Sequence, residues 1–155
     1  MRTILSLLLV VSFLSAASIA GAADPLVGTW TLNLAKSKIT PPAPKSETRT
    51  YTVSDDGTIS VTEKIVSADG NESNVSASYK LDGNDYPVTG APDSDSVAAK
   101  RISSHTTEYT LKKAGKVVQT ARRVVSKDGK TLRITETGTD SHGAKSVEIE
   151  VFDKE

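Results

Sequence analysis

Cysteine is absent from the 155 residues, which removes disulfides, thiolate metal sites and cysteine nucleophiles from consideration. A chain without disulfides must be held by its hydrophobic core alone. Histidine occurs only as His105 and His142, too few for a zinc site that needs three or four ligands. Neither sits in a nucleophile elbow or another catalytic motif, so no enzymatic activity, metal or cofactor is expected. Large aromatics are scarce: one Trp, two Phe and four Tyr. Lysines and arginines balance the acids at zero net charge, and no nucleic-acid partner is expected.

Long apolar runs are missing too. The longest, Ile4 to Leu14, follows the early charge of Arg2 and precedes small residues ending in Ala20-Gly21-Ala22-Ala23. This is the order of a secretory signal peptide, and the run is shorter than the ~20 residues a membrane helix needs. Residues 1–23 are therefore read as a leader, with cleavage leaving 24–155 as one domain in the periplasm or outside a bacterial cell, with no transmembrane segment and as a monomer.

What the chain does have is a beat. Gly57, Gly70 and Gly83 are 13 apart, Gly115, Gly129 and Gly143 are 14 apart, and four of the six follow Asp. Asp-Gly tolerates the positive φ of tight hairpin turns, which accounts for these pairs without a calcium loop. Between them lie alternating segments rich in Val, Ile, Thr and Tyr: 28–34, 58–65, 74–81, 106–112 and 131–137, with weaker ones at 47–54, 85–89, 96–102, 116–126 and 145–153. "DSVAAKRIS" has enough length for two helical turns, but its neighbours and its serines favour a strand. Period-2 patterning gives each strand one buried and one wet face. A meander of 8–10 such strands avoids open edges by closing into an antiparallel up-and-down β-barrel with little or no helix.

At the start of that meander, Gly28-Thr29-Trp30 resembles the Gly-x-Trp motif of calycins, the group of lipocalins, fatty-acid-binding proteins and avidins. The closing "EVFDKE", "DGNDYPVTG" and "RRVVSKDGKTL" resemble segments of that group and of small bacterial secreted proteins with lipocalin-like domains. The resemblance implies that Gly28 and Trp30 plug one end of the barrel, with an arginine (Arg122, Arg123 or Arg133) against the indole. It also marks two departures. Where fatty-acid-binding proteins carry a helical lid, this chain has "AKSKITPPAPKSE", whose prolines exclude a helix interior; an extended strap across the barrel end, beside a mouth, is expected instead. Where that family places the Arg and Tyr of its carboxylate clamp, this chain has Glu150 and Phe152, so the clamp does not carry over.

Tyr51, Tyr79 and Tyr109 fall on inward positions by alternation, with Tyr86 a weaker candidate, and Arg122 is in phase with Val118 and Val124. These make Tyr51, Tyr79, Tyr109 and Arg122 the expected contacts for a small apolar or amphipathic ligand in the interior. Glu63 and Glu136 also fall on apolar faces. Either they are buried and paired, with Arg122 as partner, or bulges turn them outward, and the Val-Val steps at 117–118 and 124–125 hint at irregular alternation. Residues 55–95 hold nine acids against two lysines, and 97–133 hold ten bases against two acids. In a meander these should form opposite flanks, either pairing at their seams or steering the protein toward an anionic surface. The other class of function is a barrel with a filled core that binds or inhibits a protein. A continuous cavity of roughly 300 Å³ or more separates the carrier from that alternative.

Overall fold

The computed structural model describes residues 23–139 and 145–155; residues 1–22 of the leader expected at 1–23, along with His142 and Gly143, lie outside them. Ten antiparallel strands follow in chain order: β1 (Gly28–Leu32), β2 (Ser46–Val53), β3 (Ile59–Val66), β4 (Glu72–Tyr79), β5 (Asp82–Thr89), β6 (Ser96–Ser103), β7 (Thr106–Lys113), β8 (Lys116–Val125), β9 (Thr131–Thr139) and β10 (Lys145–Lys154). Each pairs with the next, and β1 pairs with β10, so the sheet is a closed up-and-down barrel. The one helical element among the described residues is a 3-10 turn at Leu34–Lys36, which ends the first strand earlier than the alternation suggests and leaves Leu34 exposed. The "SVAAKRIS" segment is strand β6.

Three hairpins, two at one end of the barrel and one at the other, share a Ser-x-Asp-Gly turn, and each is built alike. In Ser54–Thr58, Ser67–Asn71 and Ser126–Lys130 the serine hydroxyl donates to the aspartate, at 2.7, 2.5 and 2.5 Å. The same carboxylate accepts the backbone N–H two residues on, at 3.1, 3.2 and 3.1 Å. Each glycine then takes a positive φ, between 70° and 94°. These donors hold Asp56, Asp69 and Asp128 below the usual carboxylate range, the serine hydroxyl contributing most. The fourth pair, Asp82-Gly83, is not a turn tip. It lies inside β5, at a register shift between Asp82 and Asp85.

The irregular alternation expected at Val117–Val118 is present as a bulge: Leu111 pairs with Gln119 but Lys112 with Val117, leaving Val118 as the extra residue. Pairing through Val124 and Val125 is regular. The bulge sets the phase of β8, so that 119, 121, 123 and 125 face inward. The weakest seam is β4–β5, joined by only the Ser76–Thr89 and Ala77–Val88 pairs.

The apolar core fills one end. Trp30, Tyr51, Ile59, Leu132, Ile134 and Phe152 are its largest fully buried side chains. Outside, the two charged flanks meet at the Lys112–Asp85 pair, 2.7 Å apart, while Lys80 pairs with Asp56 within the acidic flank at 3.1 Å.

Candidate functional site

The sealed end explains the Gly-x-Trp motif physically. The Trp30 indole is fully buried and its Nε1 donates to the Leu26 carbonyl at 2.8 Å. The cation over its ring is Lys154, 4.9 Å from the centroid, rather than any of the three arginines the resemblance suggested. Arg122 and Arg133 lie on the outer surface, and Arg123 stacks on tyrosines elsewhere. Gly28 makes the lysine's path possible: a Cβ there would sit 2.7 Å from Lys154 Cε, and its φ of 133° suits glycine.

Above this plug the barrel is hollow. A cavity of about 850 Å³ runs from Tyr51, Tyr79 and Arg123 to an open rim at Pro92, Lys113 and Ser146. Tyr51, Tyr79 and Tyr109 all line it, whereas Tyr86 packs on the core and donates to Asp82 at 2.8 Å. Arg122 does not line it: its guanidinium is on the outer surface, 3.1 Å from Glu108. The reason is the β8 bulge. Counting alternation from Val118 counts from the residue that breaks it, and Arg123 takes the inward place. The strap at 39–44 stands at the open end, held by backbone bonds from Lys38 to Ile149 (2.7 Å) and from Lys45 to Val66 (2.8 Å). It contains no helix. It borders a second recess of about 610 Å³ that shares Glu47, Ile65, Glu148 and Glu150 with the main cavity.

Arg123 is the side chain with the most unused bonding capacity. It is 3% exposed, and its Nη1 donates to the Tyr79 hydroxyl at 3.0 Å. Its guanidinium lies over the rings of Tyr51 and Tyr109, 4.9 and 5.6 Å from their centroids. Its Nε and Nη2 have no hydrogen-bond partner, and no carboxylate among the described residues forms an ion pair with it. A buried guanidinium donates five N–H bonds in a fixed fork, and leaving any unmade is costly.

Arg49 is its opposite. This side chain and Glu47 share the inward face of β2 with Tyr51, a placement legible from Glu47-x-Arg49-x-Tyr51 but not picked out among the expected contacts. Arg49 contacts Glu47 at 2.5 Å, Glu150 at 2.9 Å and Glu63 at 3.6 Å, and lies 4.9 Å from the centre of the Phe152 ring. The two positions that depart from the fatty-acid clamp are thus both engaged: Glu150 pairs with Arg49, and Phe152 lies against it. Glu63 faces inward, and Arg49, not Arg122, is its partner. Glu136 also faces inward and accepts the Tyr109 hydroxyl at 3.0 Å. Burial pushes Glu150 up to about 8, against the pull of Arg49. Burial likewise raises Glu63 and Glu136 above the usual carboxylate range. Burial, reinforced by Glu136, raises the Tyr109 phenol.

No family model matches the chain, and no curated protein does. Among solved structures, the chain is similar to the wild-type fluorescent protein UnaG, at 19% identity and a TM-score of 0.55, over 83% of this chain and 96% of that one. It is also similar to the barrel EF1p2_mFAP2b, bound to DFHBI, at 9% identity and a TM-score of 0.50, over 86% and 97%. The likeness is one of fold. The chain is a calycin-like barrel: closed, ten-stranded, antiparallel and connected up and down.

Proposed function

We propose that the protein is an exported carrier that holds one small, partly apolar molecule inside its barrel, without covalent chemistry. The observation that carries this reading is the hollow of about 850 Å³ with the unsatisfied donors of Arg123 at its base. A barrel whose task is to present its outer surface has no use for such an interior, and packing it with apolar side chains would be more stable. Val61, Ala77, Val88, Val97 and Leu111 supply apolar wall, so burial of the ligand's apolar surface drives binding. Arg123 fixes orientation by donating from its fork to an oxygen-bearing group of the ligand. The structure of EF1p2_mFAP2b bound to DFHBI supports the reading to the extent that a protein of this fold can bind such a compound.

Export belongs to the same proposal and rests on the leader-like residues 1–23. The mature chain then works in the periplasm or outside the cell, as a monomer. Native mass spectrometry of protein purified from its own host tests both parts. The expected spectrum shows a chain beginning at Ala23 or Asp24 and carrying one extra small mass, released on denaturation and identifiable by extraction. A full-length chain would refute export. An adduct-free chain that also fails to take up any amphiphile would refute the carrier reading.

A further inference from the structure

The cavity is short of positive charge. Glu47, Glu63, Glu136, Glu148 and Glu150 all line it, against Arg49 and Arg123 within and Lys113 at the rim. Arg49 is already engaged by Glu47, Glu63 and Glu150. Glu136 and Glu148 stand directly opposite each other on β9 and β10, a position that brings cross-strand Cβ atoms to about 4.5–5.5 Å and makes like charges repel. Glu148 accepts the strap's Thr40 N–H at 3.2 Å, and Glu136 accepts Tyr109. Neither has an ion pair among the described residues. The fold does not need two acids there, since glutamines would serve the same hydrogen bonds without the repulsion.

At the base of the same cavity, Arg123 presents the complementary deficit: a buried cation with two free donors. Resting on the carrier reading, we propose that the ligand is a zwitterionic amphiphile whose anionic end docks on Arg123 and whose protonated amine sits between Glu136 and Glu148. Such a molecule answers both deficits at once. An ammonium between the two carboxylates turns their repulsion into two charge-assisted hydrogen bonds. A plain fatty carboxylate answers only Arg123 and leaves Glu136 facing Glu148 across the ladder.

The proton balance of the site fits. Burial raises Glu136, which faces Tyr109 from β7, Gln119 from β8, Glu148 and Glu150 from β10, Glu63 from β3 and the Arg49 and Glu47 pair from β2. An ammonium beside Glu136 favours its ionised form and so opposes that upward shift. Zwitterion affinity should rise with pH until the amine itself deprotonates, and binding should release protons into the buffer.

Calorimetric titration of the purified protein with chain-matched probes tests this: ω-aminododecanoate, dodecanoate and dodecylamine, each in two buffers of different ionisation enthalpy. The amino acid should bind at least about tenfold more tightly than dodecanoate, with protons released. Joint Glu136→Gln and Glu148→Gln substitution should close that gap by lowering the amino acid's affinity. Glu148→Gln alone serves if the double variant does not fold, and should narrow the gap. Dodecanoate binding as tightly as the amino acid, or a gap that survives the substitutions, would overturn the zwitterion and leave a carrier of simple acids. Saturable binding by none of the three would overturn the carrier reading along with it.

Discussion

At the sealed end, Trp30, Phe152, Leu132 and Ile59 are buried, and the cations against the plug's rings, Lys154 over Trp30 and Arg49 over Phe152, sit at its margin. A few rungs along, the same strands turn five glutamates and two arginines inward around open space. One half of the barrel is filled with carbon and satisfied; the other is polar, hollow and leaves donors unused. The difference teaches where stability and function are divided along a single continuous sheet: β9 supplies Leu132 and Ile134 to the first half and Glu136 to the second, two residues apart each time.

The contrast is broken most severely from the plug side. Trp30→Ala should cost about 3–5 kcal/mol, as large core truncations do, read as a lowered denaturation midpoint by urea titration. Next in size is a change that moves only binding. Arg123→Met exchanges a buried, half-satisfied cation for an apolar side chain of similar length. It should lower dodecanoate affinity by about 10–100-fold, the weight of hydrogen bonds to a charged group, while leaving stability equal or improved. A variant that unfolds instead would place Arg123 with the structural half.

The pH response should also separate the halves. Glu150 is raised from 4.5 to about 8 in the fold, so the folded state holds a proton that the unfolded state has lost between those values. Its stabilising share is therefore full below pH 4.5 and vanishes as pH climbs through 8. Thermal midpoints of the ligand-free protein should fall by roughly 5 °C between pH 5 and pH 8, and Glu150→Gln should flatten that slope. The turn aspartates act with the opposite sign. Asp69 and Asp128 are lowered by their serine and backbone donors, so their contribution holds above the ordinary carboxylate range and is lost in acid. The smallest effect belongs to the outer face: Arg122→Ala, which removes an exposed pair with Glu108, should change stability by less than about 0.5 kcal/mol and should not affect binding.

Much of this architecture is legible in the residues themselves. Alternation and Asp-Gly spacing give ten strands and closure, because the hairpin turn requires a positive φ and the pleat requires period 2. The tyrosines on the cavity wall follow from the same count. Arg122 does not, because one extra residue at Val118 reverses every inward assignment after it, and the neighbouring arginine makes the error invisible in composition. The lysine on Trp30 is hidden for another reason. Pairing of the first strand with the last is set by closure, so Lys154 reaches Trp30 only through a register that local pattern does not contain. Arg49 was within reach, being two residues from an inward tyrosine. The hollow itself is a matter of volumes across ten strands, which no single strand reveals.

The pairing of Trp30 with Lys154 also sets a timetable. Glu155 N–H donates to the Thr29 carbonyl at 3.0 Å, and β10 meets β1 along Trp30, Thr31 and Leu32. The seal thus joins the earliest strand to the latest, the contact most distant in sequence among the described residues and the slowest kind to form. Until β10 is available, Trp30 has no lysine above it and the sheet has two open edges. For a chain made from its N-terminus onward, that delay leaves the barrel open until its last strand is available.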